Sequence, residues 1–165
     1  LGLFENGGVY NHCNAFKIMA DCRLGRAEQA LSTLHKMIPD SKDNPVSITG
    51  AEPYLFVNCW CMHPSFFTRI WFGWFTGTSA WALRGFYEGI CGLRREYGGL
   101  RVQPCIPGAW KELTLTRTFR GCRYHIHISN TGSGKPEVTV DGNRLADTLL
   151  PVLNDGQIHE VVVRT

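Results

Sequence analysis

The period of hydrophobicity changes once along these 165 residues, near Gly98, and this change limits the fold more than any other feature. Before it, apolar residues recur every three to four positions, as on helix faces; after it they alternate, as on half-buried strands. From Asn11 to Leu24 the residues Ala15, Phe16, Met19, Ala20 and Cys22 follow helical spacing, and Gly25 breaks the run. Arg26 to Ile38 places Ala27, Ala30, Leu31, Leu34 and Ile38 on one face, and Pro39 ends it. Two amphipathic helices so close together predict an αα-hairpin. Residues 54–63 admit another helix. A further helix is expected after Thr76, with Ala80, Leu83, Tyr87, Ile90 and Cys91 on one face, and Gly85 and Gly89 permitting close packing. Beyond Gly98, "LRVQP", "ELTLTRTF", "RYHIHIS", "EVTVDGNRL" and "IHEVVVRT" read as strands. Arg120-Gly121 and Asp141-Gly142 supply hairpin turns. The expectation is an α+β chain, helical over 1–97 and an antiparallel β unit over 98–165.

Composition suits a globular core: 44% hydrophobic residues and 19% charged. A net charge of +3, with scattered Lys and Arg, points to neither a nucleic-acid nor a membrane partner. No transmembrane run or signal peptide is visible. The start, "LGLFENGG", has no Met and reads as the middle of a longer sequence. Three or four helices and a few strands also form an incomplete set of layers. Seven cysteines at irregular spacings favour reduced thiols in the cytoplasm over a disulfide framework. Aromatics make up 12% of the chain and crowd between residues 54 and 87. Such a cluster is expected in the core, the competing reading being stacking on sugars.

Two stretches carry polar chemistry. In "WFTGTSAW" the Thr76-Gly77-Thr78 segment precedes a helix, where free N–H groups and a small residue favour an anion such as phosphate. Ordinary capping by Thr76 or Thr78 is the alternative. In "FENGGVYNHCNAF", Glu5 and Asn6 suit hydroxyl groups, Gly7 and Gly8 permit a tight bend, and His12 can donate to an anion or act as a local cap. "CWCMH" offers Cys59, Cys61 and His63 without a fourth ligand at zinc-like spacing, so buried thiols are expected rather than a metal. His125 and His127 alternate with Ile126 and Ile128 and belong on a solvent face.

Taken in order, "ENGGVYNH", "ADCRLGR", "EPYLF", "WFTGTSAW", "GLRVQPCIPGAW" and "RTFRGCRYHI" resemble the C-terminal part of the inverting disaccharide phosphorylases of glycoside hydrolase family 94. Cellobiose, chitobiose and cellobionic acid phosphorylases are among them. The resemblance implies the end of a catalytic (α/α) six-hairpin barrel at 1–97 and a C-terminal β-sandwich domain at 98–165, within a homodimer. It implies no cofactor: inorganic phosphate is a substrate, attacking the anomeric carbon of a β-linked glucosyl or N-acetylglucosaminyl disaccharide and releasing an α-sugar 1-phosphate with inversion. It assigns His12, Thr76 and Gly77 to phosphate, and Glu5 and Asn58 to the donor sugar. The general acid, an Asp, is expected upstream of this chain. Neither Asp21 nor Asp40 matches it, so the 165 residues alone are expected to give no turnover. Phe4 stands where some relatives carry Lys, which argues against cellobiose. A non-catalytic carbohydrate-binding module, or a hydrolase with a related barrel, are the other readings; neither needs a phosphate cradle.

Overall fold

A computed structural model describes residues 1–39 and 41–165. Asp40, unassigned on sequence grounds, lies outside the described residues. The chain divides into two compact units, Leu1–Phe86 and Tyr87–Thr165.

The first unit opens with β1 (Val9–Tyr10) and continues through α1 (Asn11–Arg23) and α2 (Ala27–Met37). These two helices form the expected hairpin. A single turn, α3 (Val46–Thr49), precedes β2 (Cys59–Trp60) and β3 (Ile70–Trp71), and α4 (Thr78–Arg84) follows. The strands form one antiparallel sheet in the order β1-β2-β3. The face that α1 buries differs from expectation: Asn11, Ala15, Ile18 and Asp21 are inside, whereas Phe16 is 46% exposed. Polar Asn11 and Asp21 obscured that stripe in the sequence. Asp21 accepts from Lys17 Nζ at 2.5 Å, and Lys17 also reaches Thr33 on α2 at 3.0 Å, tying the hairpin together.

Residues 54–63 are not a helix. Ala51, Leu55, Val57 and Trp60 bury as turns and strand β2, with Ile70 packed against them. The aromatic cluster is not mainly core either. Trp60 is buried, but Tyr54, Trp74 and Phe75 are 72%, 69% and 85% exposed. The helix after Thr76 is shorter than its apolar pattern suggests: α4 stops at Arg84 and the chain continues as a π-helical turn, Gly85–Ile90.

In the second unit, β4 (Leu93–Glu96) and β5 (Gly99–Val102) form a hairpin. Then come β6 (Glu112–Phe119), β7 (Cys122–Ser129), β8 (Glu137–Val140), β9 (Asn143–Arg144), β10 (Leu149–Leu150) and β11 (Ile158–Arg164). Arg120-Gly121 and Asp141-Gly142 do make the hairpin turns, all four residues at positive φ. One sheet runs β10-β5-β4 and the other β6-β7-β11-β8-β9. The larger sheet is mixed rather than wholly antiparallel, because β11 lies parallel to β7. A parallel pair requires a long crossover, here residues 130–157, and no local turn signal announces it. Alternation fixes the core: Tyr124, Ile126, Ile128, Val161 and Val163 are at most 1% exposed. His127 faces solvent and half-buried His125 meets Glu160 Oε1 at 3.1 Å, as expected of that face. Among the described residues, no helix is long and apolar enough to cross a membrane.

Candidate functional site

The opening loop is built by its glycines. Phe4 adopts φ 48° and Gly7 φ 88°, and a side chain on Gly8 would sit 2.5 Å from the Phe4 carbonyl. The turn is closed by Asn6 N–H donating to Leu3 O at 2.9 Å and Gly8 N–H to Phe4 O at 3.1 Å. It delivers the chain through β1 into α1.

Asn11 then anchors the start of that helix. Its backbone N–H donates to Asn58 O at 2.8 Å, and its buried side-chain amide donates to Val57 O at 3.0 Å. The next residue, His12, is thereby held beside the segment that carries Asn58. Tyr10 fixes the imidazole: its hydroxyl lies 2.9 Å from Nδ1, and the two rings meet edge to face at 5.0 Å. If the hydroxyl donates, Nε2 carries the proton and is a donor. His12 Nε2 is buried and has no hydrogen-bond partner. It is directed at Gly77, where an added Cβ would stand 2.9 Å away.

Thr76 takes the capping role read from the sequence. Its Oγ1 accepts from Thr78 N–H at 3.0 Å, satisfying a free donor at the start of α4. The same hydroxyl donates to Asn58 Oδ1 at 3.0 Å. Asn58 is buried, and its N–H is held by Phe72 O at 2.8 Å. Tyr10, His12, Asn58, Phe72, Phe75, Thr76 and Gly77 together line an open hollow of about 540 Å³. Four of the five residues singled out in the sequence meet here. Glu5 does not: it is exposed on the opening turn and does not line the hollow. The sequence reading missed Tyr10, whose contact with the imidazole depends on its side-chain conformation.

Among the described residues no carboxylate lines the hollow, so they offer an anion no like-charge repulsion. A larger hollow of about 620 Å³, lined by Lys17, Lys36, Trp60 and Phe67 among others, contains none of the candidate residues. Cys59 and Cys61 are buried thiols whose pKa values are raised by burial, and no group of metal-ligating side chains assembles around them among the described residues.

Residues 1–92 match the sequence model of the glycosyl hydrolase 94 superfamily catalytic domain. The chain belongs to that superfamily. Residues 93–145 match the C-terminal domain of glycosyl hydrolase family 65. Among curated relatives of the superfamily chain, solabiose phosphorylase of Paenibacillus borealis is 37% identical over 98% of this chain and 22% of its own length. Cellobionic acid phosphorylase of Neurospora crassa is 33% identical over 99% and 21%. N,N'-diacetylchitobiose phosphorylase of Vibrio furnissii is 32% identical over 86% and 18%. The chain spans about a fifth of the length of these relatives, and the resemblance read from its separated motifs is borne out.

Proposed function

We propose that this chain is the phosphate-holding part of an inverting disaccharide phosphorylase. The observation that carries the reading is the buried, unpartnered Nε2 of His12, facing Gly77 in a hollow that no carboxylate among the described residues lines. A buried N–H without a partner costs about 1–3 kcal/mol, and an oxyanion in the hollow would recover that cost. An oxygen of the bound phosphate attacks the anomeric carbon from the face opposite the leaving group. The glycosidic C–O bond breaks, the leaving oxygen takes a proton, and an α-sugar 1-phosphate forms with inversion. Phosphate is its own nucleophile, so only one general acid is needed. That acid is read as an Asp outside this stretch, because no carboxyl group among the described residues lines the hollow. Asn58 belongs beside the donor sugar in this reading, and Glu5, on the turn that leads into β1 and α1, is assigned to the same sugar. The helical hairpin is read as the end of an (α/α) barrel and the second unit as a β-sandwich domain of a cytoplasmic homodimer.

In the intact enzyme, His12→Ala should raise the apparent KM for phosphate by roughly tenfold or more, as expected for loss of a charge-assisted hydrogen bond, and Thr76→Ala should raise it through loss of the bond to Thr78 N–H that shapes the turn at Gly77, while the KM for the disaccharide changes little in both. Initial rates against phosphate and disaccharide measure this, and unchanged phosphate dependence in both variants sinks the assignment. The exposed Tyr54, Trp74 and Phe75 favour a second reading, a carbohydrate-binding module. That reading predicts sugar binding indifferent to phosphate.

A further inference from the structure

β6 alternates without interruption. Leu113, Leu115, Arg117 and Phe119 turn to the covered side of the sheet, and Thr114, Thr116 and Thr118 to solvent. An arginine thus occupies the third place in an apolar row, opposite fully buried Tyr124 in the register with β7. Its guanidinium carbon lies 6.0 Å from the centre of the Tyr87 ring. Its Nε is buried and has no hydrogen-bond partner. Buried polar groups are nearly always paired, so such an orphan calls for an occupant.

The surroundings suit an anion. Arg95, Glu96, Tyr97, Arg117, Thr118, Phe119 and Arg120 line an open hollow of about 700 Å³ within the second unit. Arg120 sits on the hairpin turn and donates Nη1 to the Tyr97 carbonyl at 2.6 Å, a neutral acceptor that leaves its charge unbalanced. Arg95 stands at the rim, 3.9 Å from Glu88. Among the described residues the one carboxylate in the lining, Glu96, is turned to Arg101 at 2.6 Å, which holds its pKa below the usual range. Among the described residues neither Arg117 nor Arg120 forms an ion pair with a carboxylate. Guanidinium groups are planar forks that match oxyanions two bonds at a time.

We propose that the second unit carries an oxyanion site of its own at Arg117 and Arg120, with Arg95 at its edge, that takes a phosphoryl group. The group is either inorganic phosphate or the phosphate of a sugar monoester, and the hollow has room for both. The site shares no residue with the hollow around His12 and does not depend on the function proposed for it.

Arginine modification by phenylglyoxal, read peptide by peptide in the mass spectrometer on the intact protein, tests this directly. Inorganic phosphate and glucose 1-phosphate should slow modification of Arg120 and Arg117 severalfold, with exposed Arg123 and Arg144 unaffected. Whichever ligand protects at lower concentration identifies the source. Rates unchanged by either ligand, or slowed as much by sodium chloride at matched ionic strength, overturn the proposal. Equilibrium dialysis with labelled phosphate adds a stoichiometry. The double variant Arg117→Leu/Arg120→Ala should lose one bound phosphate per chain, while His12→Ala loses the other. Full stoichiometry in the double variant overturns the arginine site alone, and full stoichiometry in His12→Ala overturns the assignment of His12 alone.

Discussion

The pairing of His12 with Gly77 is the residue-scale fact on which most depends. Gly77 has φ −84°, which alanine adopts without strain, so Gly77→Ala acts through its methyl group and not the backbone. That methyl would press on Nε2 at 2.9 Å and occupy the space left for an oxygen. Gly77→Ala in the intact enzyme should therefore raise the apparent KM for phosphate at least as much as His12→Ala, with a melting temperature within a few degrees of wild type. Tyr10→Phe probes orientation instead. It removes the hydroxyl that fixes Nδ1 and leaves the ring contact. Loss of one neutral hydrogen bond is about 0.5–1.5 kcal/mol, so phosphate affinity should fall about two- to tenfold, read from the phosphate dependence of initial rates. His12, Thr76 and Gly77 were legible in the sequence because their residue types and helix-start positions carry recognisable chemistry. Tyr10 was not, because its role depends on one rotamer. Arg117 was hidden for the opposite reason: it sits in the alternating row where an apolar side chain is expected.

At the scale of elements, His159 on β11 joins two loops. Its Nδ1 is 2.8 Å from Asp141 on the β8–β9 turn and its Nε2 is 3.1 Å from Asp155 in the segment before β11. A carboxylate at each nitrogen favours the imidazolium form; Tyr124 packs against the ring from β7. The Asp141 and Asp155 bonds raise the His159 pKa above its ordinary 6.5; both carboxylates are lowered below 3.8, Asp141 chiefly by the His159 bond and then the Glu160 N–H, Asp155 chiefly by the Gln157 N–H and then the His159 bond. The histidine contribution is complete below pH 6.5 and is lost as pH rises through the raised folded value; the carboxylate contribution is complete above 3.8 and is lost as pH falls through the lowered ones. Thermal melts from pH 4 to 9 should thus show stability declining above pH 6.5, and His159→Gln should remove that decline. An identical pH profile in the variant refutes the role. The elements themselves were unevenly legible. The hairpin turns at Arg120-Gly121 and Asp141-Gly142 could be read because each dipeptide has one favoured geometry. The face of α1 was misread because it is packed partly by Asn11 and Asp21, and residues 54–63 because a short apolar run has no decisive period.

For the whole molecule, each unit rests on its own core, and the second is the sheet centred on β7 and β11. Ile126→Ala should cost about 2–5 kcal/mol, since the side chain is fully buried, while a polar substitution at Ile158, 53% exposed, should cost under about 0.5. Urea unfolding followed by circular dichroism compares the two. The order β6-β7-β11-β8-β9 was beyond sequence reading because strand partners are chosen by the crossover and not by neighbours along the chain. That order also sets a timetable. On the ribosome the β6–β7 and β8–β9 hairpins emerge first, each with an unpaired row of backbone N–H and C=O groups, and the strand that seals both rows is made after them. The nascent chain must pass through an interval with two open edges, and stalled synthesis just before Ile158 would leave a product prone to pairing with its neighbours rather than with itself.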